Sequence, residues 1–72
     1  MIYTLYVGEN CHQCADVIYF MNENKVEYTA INVDLTDKKP PIKLFAYPAL
    51  FRDETLICYG SDIKNYLLEN HE

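Results

Sequence analysis

An apolar, aromatic and β-branched run at residues 2–7 (I-Y-T-L-Y-V) is cut off by Gly8, Glu9 and Asn10, and a helical period follows at once. The run lacks a polar alternation and predicts a strand buried on both faces, as in a parallel sheet. Cys14, Val17, Ile18 and Met21 then fall at i, i+3, i+4 and i+7, the stripe of an amphipathic helix. Asn10 is placed to cap its start, and Asn22, Asn24 and Lys25 mark its end. Residues 26–34 (V-E-Y-T-A-I-N-V-D) alternate in part and predict a second strand. Two strands joined by one helix are expected to run parallel, with a right-handed crossover.

The middle of the chain is polar (Thr36, Asp37, Lys38, Lys39) and then rich in proline (Pro40, Pro41). Proline is accepted in the first turn of a helix, so one short helix is expected over residues 41–45. Tyr47, coming before Pro48, is expected to be extended. Residues 49–52 and 55–59 read as short strands, and Asp53 and Glu54 between them suit a tight turn, which makes a hairpin. Ser61 is placed to cap a last helix, with Asp62 in its first turn, where a negative charge meets the helix dipole. The apolar face of that helix is Ile63, Tyr66 and Leu67. The order is βαβαββα, an α/β class chain expected to build one sheet with helices on both faces.

Composition narrows the partners. At 72 residues, with no repeat or low-complexity tract, the chain is expected to be a single domain over residues 1–72 with a small core. Half the residues are apolar and 24% are charged, a folded rather than a disordered composition. No apolar run approaches the ~20 residues of a membrane span. The start Met1-Ile2-Tyr3-Thr4 has neither a basic region nor a small-residue cleavage site, so no signal peptide is expected. A net charge of −5 opposes binding to a nucleic-acid backbone. The three cysteines, two of them close together, suit a reducing compartment and a local dithiol better than a disulfide framework, so a cytoplasmic location is expected.

The chemistry centres on Cys11-His12-Gln13-Cys14. This C-x-x-C follows a predicted strand and opens a predicted helix. Unpaired amides and the positive end of the dipole at a helix N-terminus stabilise a thiolate. The Cys11 pKa is thereby drawn from about 8.5 toward the ~3.5–7.5 range of reactive thiols. Cys14, nearly one turn further in, is close enough to form a disulfide and is more shielded. Cys11 is therefore the candidate attacking sulfur and Cys14 the resolving one. His12, if protonated, would favour the Cys11 thiolate; it is equally readable as an exposed polar side chain. Glu9 acts the other way, because a nearby carboxylate raises a thiol pKa. The bland rivals are two ordinary cysteines with no role and a zinc site. The zinc site would draw its further ligands from His12, Cys58, His71 and carboxylates, and none of these forms a second close pair. Pro48 is either a plain trans residue at a strand start or a cis proline facing the dithiol. In the second case the Tyr47 backbone is free to pair with an extended substrate.

Three motifs together resemble the glutaredoxin branch of the thioredoxin-fold superfamily over nearly the whole chain. They are L-Y-V-G-E-N-C-H-Q-C after the first strand, Y-P-A-L-F at the third and Y-G-S-D-I at the last helix. The resemblance implies a four-stranded mixed sheet in the order 2-1-3-4 with three helices. It implies that Cys11 is the nucleophile, that Cys14 resolves, and that Pro48 is cis. It also implies a site for glutathione held as an extended peptide. Tyr47 would pair with its cysteine, and Gly60, Ser61 and Asp62 would take its γ-glutamyl end. Lys38 and Lys39 would meet its glycine carboxylate. Four stretches depart from the family pattern. Gly8 stands where glutaredoxins usually carry a lysine, the usual C-P-Y-C is C-H-Q-C, Ala46-Tyr47 replaces Thr-Val, and Tyr59-Gly60 replaces paired glycines. Without that lysine, and at a charge of −5, the attraction for anionic glutathione is weak. The branch that donates electrons to ribonucleotide reductase and is recharged by thioredoxin reductase is also compatible.

The expected activity is thiol–disulfide oxidoreduction, acting on a disulfide-containing protein or a glutathione mixed disulfide. No cofactor is expected to be held permanently, glutathione serving at most as reductant. A monomer is expected, with neither a nucleic-acid nor a membrane partner. The rival is a non-catalytic binding module, or a zinc or iron–sulfur carrier, using the same groove. Among the seven tyrosines, Tyr3, Tyr6, Tyr28 and Tyr66 are expected at core or boundary positions, and Tyr6 also resembles a family tyrosine placed to pack beside the dithiol. Cys58 reads as a small apolar strand residue, or else as a regulatory thiol.

Overall fold

The structure is a computed structural model and describes residues 3–70. Met1, Ile2 and His71, named above, lie outside the described residues. Six elements follow in order: β1 (Tyr3–Val7), α1 (His12–Glu23), β2 (Tyr28–Asn32), β3 (Ala49–Arg52), β4 (Thr55–Tyr59) and α2 (Asp62–Asn70). The strands form one mixed sheet in the order β2-β1-β3-β4. β1 runs parallel to β2, from Tyr3 opposite Tyr28 to Val7 opposite Asn32. It runs antiparallel to β3, with Leu5 opposite Leu50.

β1 is central in the sheet and its apolar run serves two layers. Tyr3, Leu5 and Val7 pack with Leu50 against Cys14, Val17 and Met21 of α1 and Ile63 and Leu67 of α2. Tyr6 takes the opposite side with Ala49 and Phe51. Its ring meets Phe51 edge-on, with centroids 5.1 Å apart, on the face away from Cys14.

Two expectations are corrected here. Among the described residues no helix forms over residues 41–45, and the chain is irregular through residues 33–47. Five residues are too few to recover the cost of helix nucleation. Pro40 and Pro41 supply no N–H groups, and Pro48 bars Tyr47 from helical geometry. As a result the helices do not cover both faces. Both lie on the face of Leu5 and Leu50, and side chains such as Val33 and Leu44 of the irregular segment cover the other. A bond from the Phe45 N–H to the Tyr59 hydroxyl, at 3.4 Å, ties this segment to β4.

Smaller differences have local causes. The cap of α1 is Cys11, because Asn10 takes a left-handed φ of 52° and turns the chain one residue before the helix. At the other end Lys25 is left-handed, and the Val26 N–H reaches back to the Met21 carbonyl at 2.9 Å. This bond and the burial of Val26 in the helix-side core delay the second strand to Tyr28, and a turn with the Leu35 N–H on the Asn32 carbonyl at 3.1 Å ends it at Asn32. The two hairpin strands match their expected ranges, and Asp53 in the turn has φ 56°. Their pairing shifts at Leu50/Phe51: Leu50 faces Cys58 and Phe51 faces Leu56, so Ile57 is the extra residue of a β-bulge. Among the described residues no helix is long and apolar enough to cross a membrane.

Candidate functional site

Cys11 sits where β1 has ended and α1 begins. As the cap residue it is extended, with φ −112° and ψ 99°, and its Sγ accepts the Cys14 N–H at 3.1 Å. Its carbonyl accepts the Ala15 N–H at 3.1 Å, the first turn of the helix. Cys11 and Cys14 are joined as a disulfide, with Cα atoms 5.2 Å apart, inside the usual range for such a bridge. The two sulfurs differ in access. Cys14 is only 3% exposed within the core, whereas Cys11 is half-buried at its edge.

The loop before β3 closes on this turn. The Tyr47 carbonyl oxygen lies 4.0 Å from Cys11 Sγ, and the Tyr47–Pro48 peptide bond is cis. A disulfide sulfur carries no proton, so this is an approach rather than a hydrogen bond; a reduced thiol there has an acceptor within reach. The Pro48 carbonyl accepts the Gly60 N–H at 2.8 Å, which fixes the start of α2 to the same loop. Gly60 is left-handed at φ 56°, and a Cβ on it would stand 3.2 Å from Gln13 Oε1. Cys11, Gln13, Tyr47, Pro48 and Gly60 thus form one cluster.

Other residues singled out from sequence lie further off. Ser61 and Asp62 follow Gly60 and are exposed at the start of α2. His12 is the exposed first residue of α1. Lys38 and Lys39 are exposed and line a groove of about 470 Å³ together with Lys43, and they reach the dithiol only through Tyr47, which borders both. Cys58 packs against the helix-side core, where burial, and secondarily the Asp62 charge, push its thiol up to about 11.

Sequence reasoning missed a polar ring behind the turn. The Glu9 N–H donates to Asp34 Oδ2 at 2.8 Å, and Asn32 Nδ2 donates to Glu9 Oε1 at 3.1 Å. The Asp34 N–H returns to Asn32 Oδ1 at 2.9 Å. This ring ties the Cys11 turn to the end of β2. The one available signal was Asn32-x-Asp34 at a strand end, a pattern for side-chain bonds to nearby backbone. The ring also bears on Gly8. A Cβ there would stand 3.3 Å from Asp34 Oδ2 and 3.9 Å from Tyr47 Cδ2, so a carboxylate and a ring close over this position.

Among the described residues, no three His, Cys, Asp or Glu side chains gather as a set that could hold a metal ion. No family model matches the chain, and neither a curated protein nor a solved structure does.

Proposed function

We propose that the chain is a thiol–disulfide oxidoreductase of the thioredoxin-like, glutaredoxin-related kind, and that Cys11 and Cys14 carry its chemistry. One observation supports this most: an accessible sulfur caps a helix and receives a backbone N–H, its partner sulfur is buried one turn away, and a peptide carbonyl faces it. The sheet order 2-1-3-4 is the one the glutaredoxin resemblance implies.

In the reduced form the Cys11 thiolate attacks one sulfur of a substrate disulfide. The S–S bond breaks, the first substrate sulfur leaves as a thiolate and takes a proton from water, and Cys11 is left in a mixed disulfide. Cys14, losing its proton to water, attacks Cys11 Sγ and releases the second substrate thiol. Two electrons pass from the dithiol to the substrate, and the enzyme disulfide remains. An external thiol reductant, either glutathione or a thioredoxin reductase, returns it to the dithiol. His12, when protonated, adds a positive charge beside the Cys11 thiolate. Pro48, through its cis bond and missing N–H, leaves the Tyr47 backbone free to pair with the extended substrate. Gly60, Ser61 and Asp62 take the amino-acid end of a glutathionyl group, and Lys38 and Lys39 its distal carboxylate. The substrate is a disulfide-containing protein, with ribonucleotide reductase one candidate, and the setting is the cytoplasm.

Turnover of a small disulfide tests the reading. Cys11→Ser is expected to lose all turnover, and Cys14→Ser to accumulate a mixed disulfide visible by intact mass. Full activity in Cys11→Ser would overturn the role assignment. Stoichiometric metal on the reduced protein, with no dithiol turnover, would favour the carrier. Comparing reduction of the oxidised protein by glutathione and by thioredoxin reductase separates the two branches.

A further inference from the structure

The groove bordered by Tyr47 has a charge opposite to that of the molecule. Residues 38–43 hold Lys38, Lys39 and Lys43 and no acid, whereas the remaining cations are spread among 11 acidic residues. Among the described residues none of these three ammonium groups is paired with a carboxylate. Three like charges held close together without partners repel one another, and an anion relieves that repulsion. The groove is also apolar. Val33, Ile42 and Tyr47 line it, and Ile42 is 49% exposed.

We propose that this groove docks a short, extended, acidic segment of the disulfide-bearing protein, with carboxylates on Lys38, Lys39 and Lys43 and an apolar side chain against Ile42 and Tyr47. The proposal deepens the oxidoreductase reading and rests on it for the disulfide alone. Charge complementarity selects the occupant. A glutathionyl group brings only its distal carboxylate to Lys38 and Lys39 and leaves Lys43 and the apolar wall unused. A nucleic acid would carry its phosphates past the acidic remainder of the chain. A segment that ends at Tyr47 delivers its neighbouring disulfide to Cys11, because the Tyr47 carbonyl is 4.0 Å from that sulfur. Complementary charge of this kind speeds encounter and fixes direction.

The test uses fluorescence anisotropy on the full chain with two labelled peptides, one with glutamates flanking a phenylalanine and one with glutamines in their place. The acidic peptide is expected to bind at least about tenfold tighter at low salt, with the gap closing as ionic strength rises. The triple variant Lys38→Glu, Lys39→Glu, Lys43→Glu should lose that preference and the Lys→Arg triple should keep it, both with unchanged circular dichroism. Equal binding of the two peptides overturns the proposal, as does tighter binding of single-stranded oligothymidylate. Displacement of the acidic peptide by an equal concentration of glutathione overturns it too. Turnover of a small neutral disulfide is read separately. Turnover without peptide preference sinks the docking site alone, and peptide preference without turnover sinks the oxidoreductase reading alone.

Discussion

The two faces of the sheet are covered by different means. On the helix face, Leu5 and Leu50 are sealed by side chains that two helices supply at regular spacing, and Val17, Met21 and Ile63 are themselves fully buried. On the other face Ala49 and Phe51 are buried as completely, but the cover is an irregular segment held by scattered side chains such as Val33 and Leu44. A helix satisfies its own backbone while delivering a stripe of apolar side chains. An irregular segment delivers them singly and leaves its peptide groups to water. Phe45, 86% exposed, shows how incompletely that segment turns its apolar residues inward. The same looseness leaves room for a groove beside the dithiol.

Truncation of buried side chains sharpens the contrast most. Met21→Ala should cost about 2–5 kcal/mol in denaturant melts, whereas Leu44→Ala, half-buried within the irregular segment, should cost about 1 kcal/mol. Equal losses would break the comparison. For a chain this size the first change approaches the whole stability of about 4–11 kcal/mol.

Core amides of α1, such as that of Val17, should be protected from hydrogen exchange about a thousandfold or more. Amides over residues 35–44 should exchange close to the free rate, and comparable protection in both would contradict the picture.

A smaller effect separates the thiols. Cys58 under the helix face is pushed from 9.0 to about 11, so its thiolate is about a hundredfold scarcer near neutral pH than an unperturbed thiol's. In the reduced protein at pH 7.5, iodoacetamide should modify Cys11 well before Cys58; the reverse order would mean that β4 opens. The sign for stability follows from the same shift. The neutral thiol is favoured in the folded state, so its contribution is whole below pH 9.0 and fades as pH rises through about 11. The smallest expected change is Tyr59→Phe, which removes the hydroxyl that holds the Phe45 amide. It should cost about 0.5–1.5 kcal/mol or less and raise exchange at Phe45 without touching α1.

What could be read in advance divides along the same line. The two helices were legible because Cys14, Val17 and Met21, or Ile63 and Leu67, repeat with the helical period, and the first strand and the hairpin because short apolar runs are cut by Gly8, Glu9 and Asn10 and by Asp53 and Glu54. The dithiol was legible because its two residues are near neighbours. Residues 33–47 have no period, and proline at position 41 permits a helix without requiring one. The ring of Glu9, Asn32 and Asp34 and the seat of Gln13 beside Gly60 were missed because their partners meet only once the sheet has formed.

The doubled step at Ile57 and Cys58 changes the parity of β4. Strict alternation from Leu56 would aim Cys58 away from α2 and swing Tyr59 in beneath it. With one residue counted twice, the sulfur goes under the helix and the phenol comes out where it can catch the Phe45 amide. A single inserted position in a five-residue strand therefore puts two successive side chains, Ile57 and Cys58, under the same roof, and deleting Ile57 would restore plain alternation while leaving Cys58 and Tyr59 on the faces they hold.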